Sequence, residues 1–311
     1  MNLQQWNGSA FPAILEPTND TDLSAFLDSN RAEVDATLAS TGAVLFRGFH
    51  VPTVDEFDTG VVAYGAENFT YKDSLSNAVR INLTPRVFTA NEAPPTTSIF
   101  LHHEMAQTPI YPSKLFFYCH KAAEHGGATP LCRSDILLDQ LSEAEPELIQ
   151  EFVQKGVSYS NTMPAYDDHN SGQGRSWRST LSAESKPDAE TRLKTLGYSW
   201  EWGDNETLRM TSPRLDAVKT LPDGSRVFFN QLIAAYRGWS DTRNDASKSI
   251  TFGDGSPIDA DKLATAITLA DELSFDLNWQ SGDVALIDNF RVMHGRRPYE
   301  GKRKVLVSLV N

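Results

Sequence analysis

Two runs, Phe100-Leu101-His102-His103-Glu104-Met105 and Ile287-Asp288-Asn289-Phe290-Arg291-Val292-Met293-His294-Gly295-Arg296, decide how this chain reads. On an extended strand residues i and i+2 share a face, so His102 and Glu104 can grip one ion. The ring of His103 then points away, toward packing or hydrogen bonding. A distant His294 completes a three-point set of two imidazoles and one carboxylate, which leaves adjacent coordination positions open on a non-haem Fe(II) and so points to oxygen chemistry. Alone, a His-x-Glu tripeptide says little, because 7 His and 41 acidic residues among 311 produce such tripeptides by chance. The surroundings add weight. Ser98-Ile99-Phe100-Leu101 leads into the first pair as a strand, and the apolar run Val284-Ala285-Leu286-Ile287 precedes the approach to His294, so both candidate ligand positions fall at strand ends.

Length and composition bound the rest. The 311 residues suffice for one large core, and β-rich barrels of this size commonly form one domain, so a single domain over 1–311 is expected. Hydrophobic content of 40% with 22% charged residues is that of a soluble globular protein, neither disordered nor membrane-like. A formal net charge of -13 disfavours attraction to phosphate backbones, so no nucleic-acid partner is expected. The first residues carry no basic segment followed by an apolar run, and no apolar stretch is long enough to span a bilayer, so a cytoplasmic location is expected. In that compartment thiols stay reduced, and Cys119 and Cys132 read as core residues.

The periodicity predicts helices over about 21–40, 55–65, 134–155 with a restart at Pro146, and 260–273. Strands are expected at 44–49, 115–118, 156–159, 208–211, 226–230, 284–287 and 304–309. Strands therefore dominate the stretches that carry the motifs, and the fold class is mainly β (α+β). No glycine-rich loop follows a strand and opens a helix as a nucleotide site would require. A polar run from Asp167 to Arg175 marks 160–195 as a lid or insertion, either a solvated connection or a cover over the site, with Trp177 as a packing anchor.

Further pieces carry a resemblance. In order along the chain they are Gly42-Ala43-Val44-Leu45-Phe46-Arg47-Gly48-Phe49, Val87-Phe88-Thr89-Ala90-Asn91-Glu92, His102-His103-Glu104, Gly126-Gly127-Ala128-Thr129-Pro130, and Asp288 through His294 with a basic strand after it. Together they resemble the TauD/TfdA-like superfamily of Fe(II)/2-oxoglutarate-dependent dioxygenases, most closely the SyrP-like branch of natural-product assembly. The resemblance implies a distorted double-stranded β-helix, or jelly-roll, core with flanking helices. It implies that His102, Glu104 and His294 bind Fe(II), that Thr129 offers a hydroxyl to one end of 2-oxoglutarate, and that Arg303 pairs with the far carboxylate. Relatives often have two arginines where this chain has Arg303 followed by Lys304. Chemistry favours Arg303, whose guanidinium makes two parallel bonds to a carboxylate, while Lys304 alternates to the other strand face.

The implied reaction is a hydroxylation in which O2 and 2-oxoglutarate are consumed and succinate is released. A halogenase is disfavoured, because that chemistry needs a small residue where Glu104 stands. The implied substrate is an amino acid, or an aminoacyl group on a peptidyl carrier domain, with Gln107, Asn230, Gln231 and Arg296 as candidate contacts. Phe228-Phe229-Asn230-Gln231 reads equally as a core strand ending in a polar turn. Asp288 and Asn289 either orient His294 or simply form a turn. The alternative is a barrel of the same shape that binds a metal or small molecule without redox chemistry, or a zinc hydrolase; neither has a use for Thr129 and a basic residue beyond His294.

Overall fold

Leu115-Phe116-Phe117-Tyr118-Cys119 is apolar at every position, the pattern of a strand covered on both faces. In a computed structural model, which describes residues 2–6, 8–19, 21–70, 75–76, 80–91, 93–168, 174–238 and 249–311, this run lies inside a seven-stranded sheet. Glu92, and His169, Asn170, Gly172 and Gln173 of the polar run, lie outside the described residues. The strand order is Asn2–Trp6, Ser9–Leu15, Ala43–Phe46, Val284–Asp288, Lys114–Lys121, Lys304–Val310 and Val87–Thr89. All neighbours pair antiparallel except Ser9–Leu15 with Ala43–Phe46. A second antiparallel sheet contains Phe275–Leu277, Thr129–Arg133, Val292–Arg296 and Ile99–His102 in that order.

Alternation along Lys114–Lys121 explains the layers. Leu115, Phe117 and Cys119 pack with Leu131, Leu277 and Val292 of the second sheet. Phe116 and Tyr118 face the other way, against Leu27 and Leu38 of the helix Leu23–Thr41 and Phe57 and Val61 of the helix Val54–Tyr64. The second sheet is covered in turn by the helices Ser134–Ala144, Pro146–Lys155 and Ala260–Leu273, whose Leu137, Phe152 and Ala266 cluster with Leu101, Cys132 and Met293. Two facing sheets between helical layers are the expected jelly-roll arrangement. Cys119 and Cys132 are free, buried thiols on different sheets. Among the described residues no helix is long and apolar enough to cross a membrane.

Several boundaries differ from expectation for physical reasons. The strand expected at 226–230 stops at Val227, because the Asn230 side chain caps the following helix Leu232–Gly238, Oδ1 accepting from Leu232 N at 3.0 Å. The strands Asn2–Trp6 and Ser9–Leu15 were not anticipated; Ser9–Leu15 is held by pairing with Ala43–Phe46, about thirty residues on, and Asn2–Trp6 pairs in turn with Ser9–Leu15. Within 160–195 lie the end of the strand Val157–Met163 and the helices Trp177–Leu181 and Lys186–Thr195, the latter opened by a reciprocal Ser185–Asp188 capping box. Met163, Trp177, Leu181, Leu193 and Leu208 form a small core of their own. Trp177 is the packing anchor expected, fully buried, its Nε1 donating to Glu206 O at 2.9 Å.

Gly42 joins the helix Leu23–Thr41 to the strand Ala43–Phe46 at φ 80°, and a Cβ there would lie 2.7 Å from Val292 Cγ2 in the second sheet. Gly42→Ala therefore combines left-handed strain with a clash and should cost about 1–3 kcal/mol. The expected readout is a lower urea midpoint at unchanged m-value.

Candidate metal and cosubstrate site

The ligand strands Ile99–His102 and Val292–Arg296 are neighbours, and their register sets His102 opposite His294, with ring centroids 4.4 Å apart. The first strand ends at His102, and the chain turns through Met105 at φ 59°. This turn carries the Glu104 carboxylate back to the rings, Oε2 lying 3.5 Å from His294 Nε2. One donor atom from each of the three residues falls within 4.8 Å of the others.

The turn is held from the opposite strand connection. Asn289, completely buried, accepts at Oδ1 from Glu104 N at 2.7 Å and donates from Nδ2 to Glu104 O at 3.0 Å and Pro112 O at 2.8 Å. Of the two roles weighed for Asp288 and Asn289, Asn289 thus orients a candidate ligand, but that ligand is Glu104 and not His294. Asp288 makes the turn, its Oδ1 accepting from Phe290 N at 2.8 Å and Arg291 N at 3.3 Å. His103 points away from the cluster, as alternation predicts. Its Nδ1 lies 2.5 Å from Asn289 O and its Nε2 3.1 Å from Phe228 O, and burial pushes its pKa down to about 3. A neutral ring donates to only one of these carbonyls.

Electrostatics keep His102 and Glu104 in ligand form. Burial, with the charge of His294 adding, lowers His102 to about 4, so the ring is neutral near pH 7. Its Nδ1 faces Phe100 O at 2.7 Å and donates there, which leaves the Nε2 lone pair available. Burial alone would raise the Glu104 carboxyl, but Arg80 and His294 more than offset it and hold the group below the usual carboxylate range. Arg80 donates to Oε1 at 2.9 Å, both side chains being buried, while Oε2 is the oxygen turned to the rings. His294 Nδ1 is buried without a partner among the described residues. A neutral His102 ring, an ionised carboxylate and the His294 ring, gathered within 4.8 Å, fit a divalent cation.

A cavity of about 190 Å³ opens from these three residues and reaches Thr129 and Arg303. Thr129 Oγ1 accepts from Trp279 Nε1 at 2.9 Å. Arg303 Nε donates to Gly127 O at 3.0 Å, and among the described residues no carboxylate lies within ion-pair distance of its guanidinium. Burial, with the charge of Arg296 adding, lowers its pKa to about 10, the sign of a cation that lacks an anion. A side chain at Gly127 would meet Arg303 Cδ at 3.0 Å, so the Gly-Gly turn is what lets the arginine in. Lys304 is exposed and sits opposite Lys121.

The four candidate substrate contacts separate. Gln107 and Gln231 border the cavity, Gln107 with a buried Oε1 that has no partner among the described residues and Gln231 with Nε2 donating to His103 O at 2.9 Å. Arg296 borders it as well, but its terminal nitrogens donate to the carbonyls of Asn91, Ala93, Pro94 and Thr97 at 2.7–3.3 Å, which braces the rim loop. Asn230 is completely buried behind the wall as the helix cap. Arg80 and Trp279 were not singled out from sequence. Each lies far along the chain from its partner, and no local spacing announces it.

Residues 10–309 match the family described as taurine catabolism dioxygenase TauD, TfdA family. A clavaminate synthase-like protein of Arabidopsis thaliana is 38% identical over 316 residues, covering 98% of this chain and 95% of the plant protein. The dapdiamide synthesis protein DdaC of Enterobacter agglomerans is 30% identical over 313 residues, covering 94% of this chain and 89% of DdaC. Among solved structures, a taurine dioxygenase from Burkholderia xenovorans superposes with TM-score 0.57 at 15% identity, covering 100% of this chain and 89% of that one. AAD-2 in complex with Mn(II) and N-oxalylglycine gives 0.53 at 13% identity, with 100% and 97% coverage. At such identities the two structures speak for the fold.

Asn289→Ala should release the main chain of Glu104 and lower Co(II) affinity about 10–100-fold, the usual effect of losing a group that orients a ligand. His103→Ala, by contrast, should lower thermal stability while leaving Co(II) affinity near that of the parent. Spectrophotometric Co(II) titration beside thermal unfolding separates the two.

Proposed function

Because the chain belongs to the taurine catabolism dioxygenase TauD/TfdA family, and is an Fe(II)- and 2-oxoglutarate-dependent dioxygenase acting on a small molecule, we propose that it hydroxylates an unactivated C–H bond of an amino acid or of an aminoacyl group presented on a carrier domain. The observation that carries this reading is one cavity bordered at once by the His102, Glu104 and His294 donors and by the uncompensated guanidinium of Arg303. A zinc hydrolase or a simple binding protein has no use for the second of these. Cytoplasmic operation belongs to the same proposal, since iron(II) and the two free cysteines both require a reducing setting.

His102, Glu104 and His294 would hold the Fe(II). When bound, the iron together with 2-oxoglutarate and O2 supplies the oxidant for the C–H bond, succinate and CO2 being released. The remaining work falls to the chain itself. Arg303 offers its terminal nitrogens to the far carboxylate of the cosubstrate as two parallel charge-assisted bonds, and Thr129 offers its hydroxyl. Arg80 occupies one oxygen of Glu104, so that only the other is presented to a cation. Arg296 holds the rim loop, which together with the aromatic wall at Phe100 and Phe117 keeps bulk water from the reacting centre. On the substrate side Gln107 supplies an Oε1 without a partner among the described residues, suited to the amide or amino group of an aminoacyl substrate, and Gln231 borders the cavity beside it. The biosynthetic name of the relative DdaC and the resemblance to the SyrP-like branch support a substrate of that kind.

The test is anaerobic addition of Fe(II) and 2-oxoglutarate, expected to give a weak visible charge-transfer band, followed by O2 and a panel of free and carrier-bound amino acids with succinate as readout. Absence of coupled succinate with every amino acid would remove that substrate class. His102→Ala, Glu104→Ala and His294→Ala should each abolish succinate formation, and unimpaired turnover in one of them would remove that residue from the set. Arg303→Ala should raise the apparent 2-oxoglutarate constant by the equivalent of about 2–5 kcal/mol, the usual loss on truncating one partner of a buried charge pair. Lys304→Ala should change it little.

A further inference from the structure

We propose that Trp279 is a positioning residue that aims the Thr129 hydroxyl at a cosubstrate carboxylate, and that the Arg47–Asp283 ion pair exists to hold the turn that carries this indole. The inference rests on the assignment of Thr129 to the cosubstrate and adds the device that orients it.

The argument is one of hydrogen-bond polarity. An indole N–H can only donate, whereas a hydroxyl has one proton to give and two lone pairs to receive. Trp279 Nε1 lies 2.9 Å from Thr129 Oγ1, so one lone pair of the hydroxyl is taken. Its proton has no acceptor among the described residues, Thr129 is 3% exposed, and the residue borders the cavity. The hydroxyl proton is thereby free to point into the cavity, with the indole holding one lone pair away from it. A carboxylate oxygen, which only accepts, is its complement. Without the indole, the hydroxyl can turn a lone pair toward the carboxylate and repel it.

The position of the indole follows from two independent restraints. The strand Phe275–Leu277 pairs with Thr129–Arg133 so that Leu277 stands opposite Thr129, which delivers Trp279 two residues later to the same end. The turn beyond is tied to one ion pair. Arg47 Nε and one terminal nitrogen donate to the Asp283 carboxylate at 3.1 and 2.7 Å, and the guanidinium also donates to Asn278 O at 2.9 Å. Asp283 accepts in addition from Gln280 N at 2.8 Å. The residues on either side of Trp279 are thus both anchored to Arg47 and Asp283, and the Asp283 side chain is 2% exposed. The arginine of the run Gly42-Ala43-Val44-Leu45-Phe46-Arg47-Gly48-Phe49, otherwise without a part in the site, gains one here.

Trp279→Phe keeps the ring and deletes the N–H. The measurement is the dissociation constant of 2-oxoglutarate for the Mn(II)-loaded full chain, by calorimetry and without turnover, with Mn(II) affinity and thermal unfolding recorded beside it. Thr129→Val and Trp279→Phe should each weaken 2-oxoglutarate binding roughly threefold to tenfold, the range for one hydrogen bond, with Mn(II) affinity unchanged. In the Thr129→Val background Trp279→Phe should add nothing, because its effect passes through the hydroxyl. Should Trp279→Phe fail to fold, Arg47→Met, which loosens the turn and leaves the indole intact, reads the same quantity and the same loss of effect in Thr129→Val. An unchanged constant in Trp279→Phe, or an equal weakening with and without Thr129→Val, overturns the positioning role while Thr129 keeps its own. A Thr129→Val protein that binds 2-oxoglutarate as the parent does overturns the Thr129 assignment, and the positioning role with it.

Discussion

The structure around the site depends on one buried anion. Glu104 is 3% exposed, and a carboxylate taken out of water costs on the order of several kcal/mol unless its surroundings return that energy. Three features meet the demand, one from Arg80 and two from the run that carries Asn289 and His294. Arg80 supplies a full charge at 2.9 Å, the imidazole of His294 stands at 3.5 Å, and the main chain of Glu104 is gripped on both sides by the amide of Asn289. A side chain with three rotatable bonds is thereby reduced to a single presentation, with one oxygen spent and the other facing the histidine rings.

The jelly-roll supplies what such a cluster needs. Facing sheets give a dry interior, and the antiparallel register of Ile99–His102 with Val292–Arg296 brings two histidines 192 positions apart into ring contact. The helices do no chemistry. They cover the outer faces of both sheets, and so allow strands such as Lys114–Lys121 to be apolar on both sides and rigid beneath the site. The region over 160–195 holds helices that pack on one another and on the strand Leu208–Thr211 instead of sharing the sheet interior.

Charge sets what the cavity accepts. Among the described residues that border it, Arg80, Arg296 and Arg303 are cationic and Glu104 alone is anionic. The three cations are not equivalent. Arg80 is committed to Glu104, Arg296 is committed to four carbonyls, and Arg303 retains terminal nitrogens without a carboxylate. The asymmetry supports the proposed pairing of Arg303 with a soluble dianion, the other two arginines being spent on the walls. A chain whose net charge is -13 thus carries a local positive field where an anionic cosubstrate must enter.

The chemistry of the site was legible wherever it is encoded by short spacing. His-x-Glu is such a local pattern, although the strand ends at His102 and a turn, not alternation, brings Glu104 to the rings; Arg303 likewise stands just before the strand Lys304–Val310. The periodic segments likewise declared the helices Ala260–Leu273 and Val54–Tyr64 almost to the residue. The sequence by itself therefore singled out His102, Glu104 and His294, with Thr129 and Arg303 through the family resemblance, and the fold gathers all five around one cavity. Only the tertiary structure decided their supports: that Asn289 orients Glu104 and not His294, that Arg296 braces a loop, that Asn230 caps a helix behind the wall, and that Arg80 and Trp279 take part at all. Each of those contacts joins segments distant in the chain or depends on where a strand happens to end. A residue's type states what it can bond, and only the packed fold states with whom.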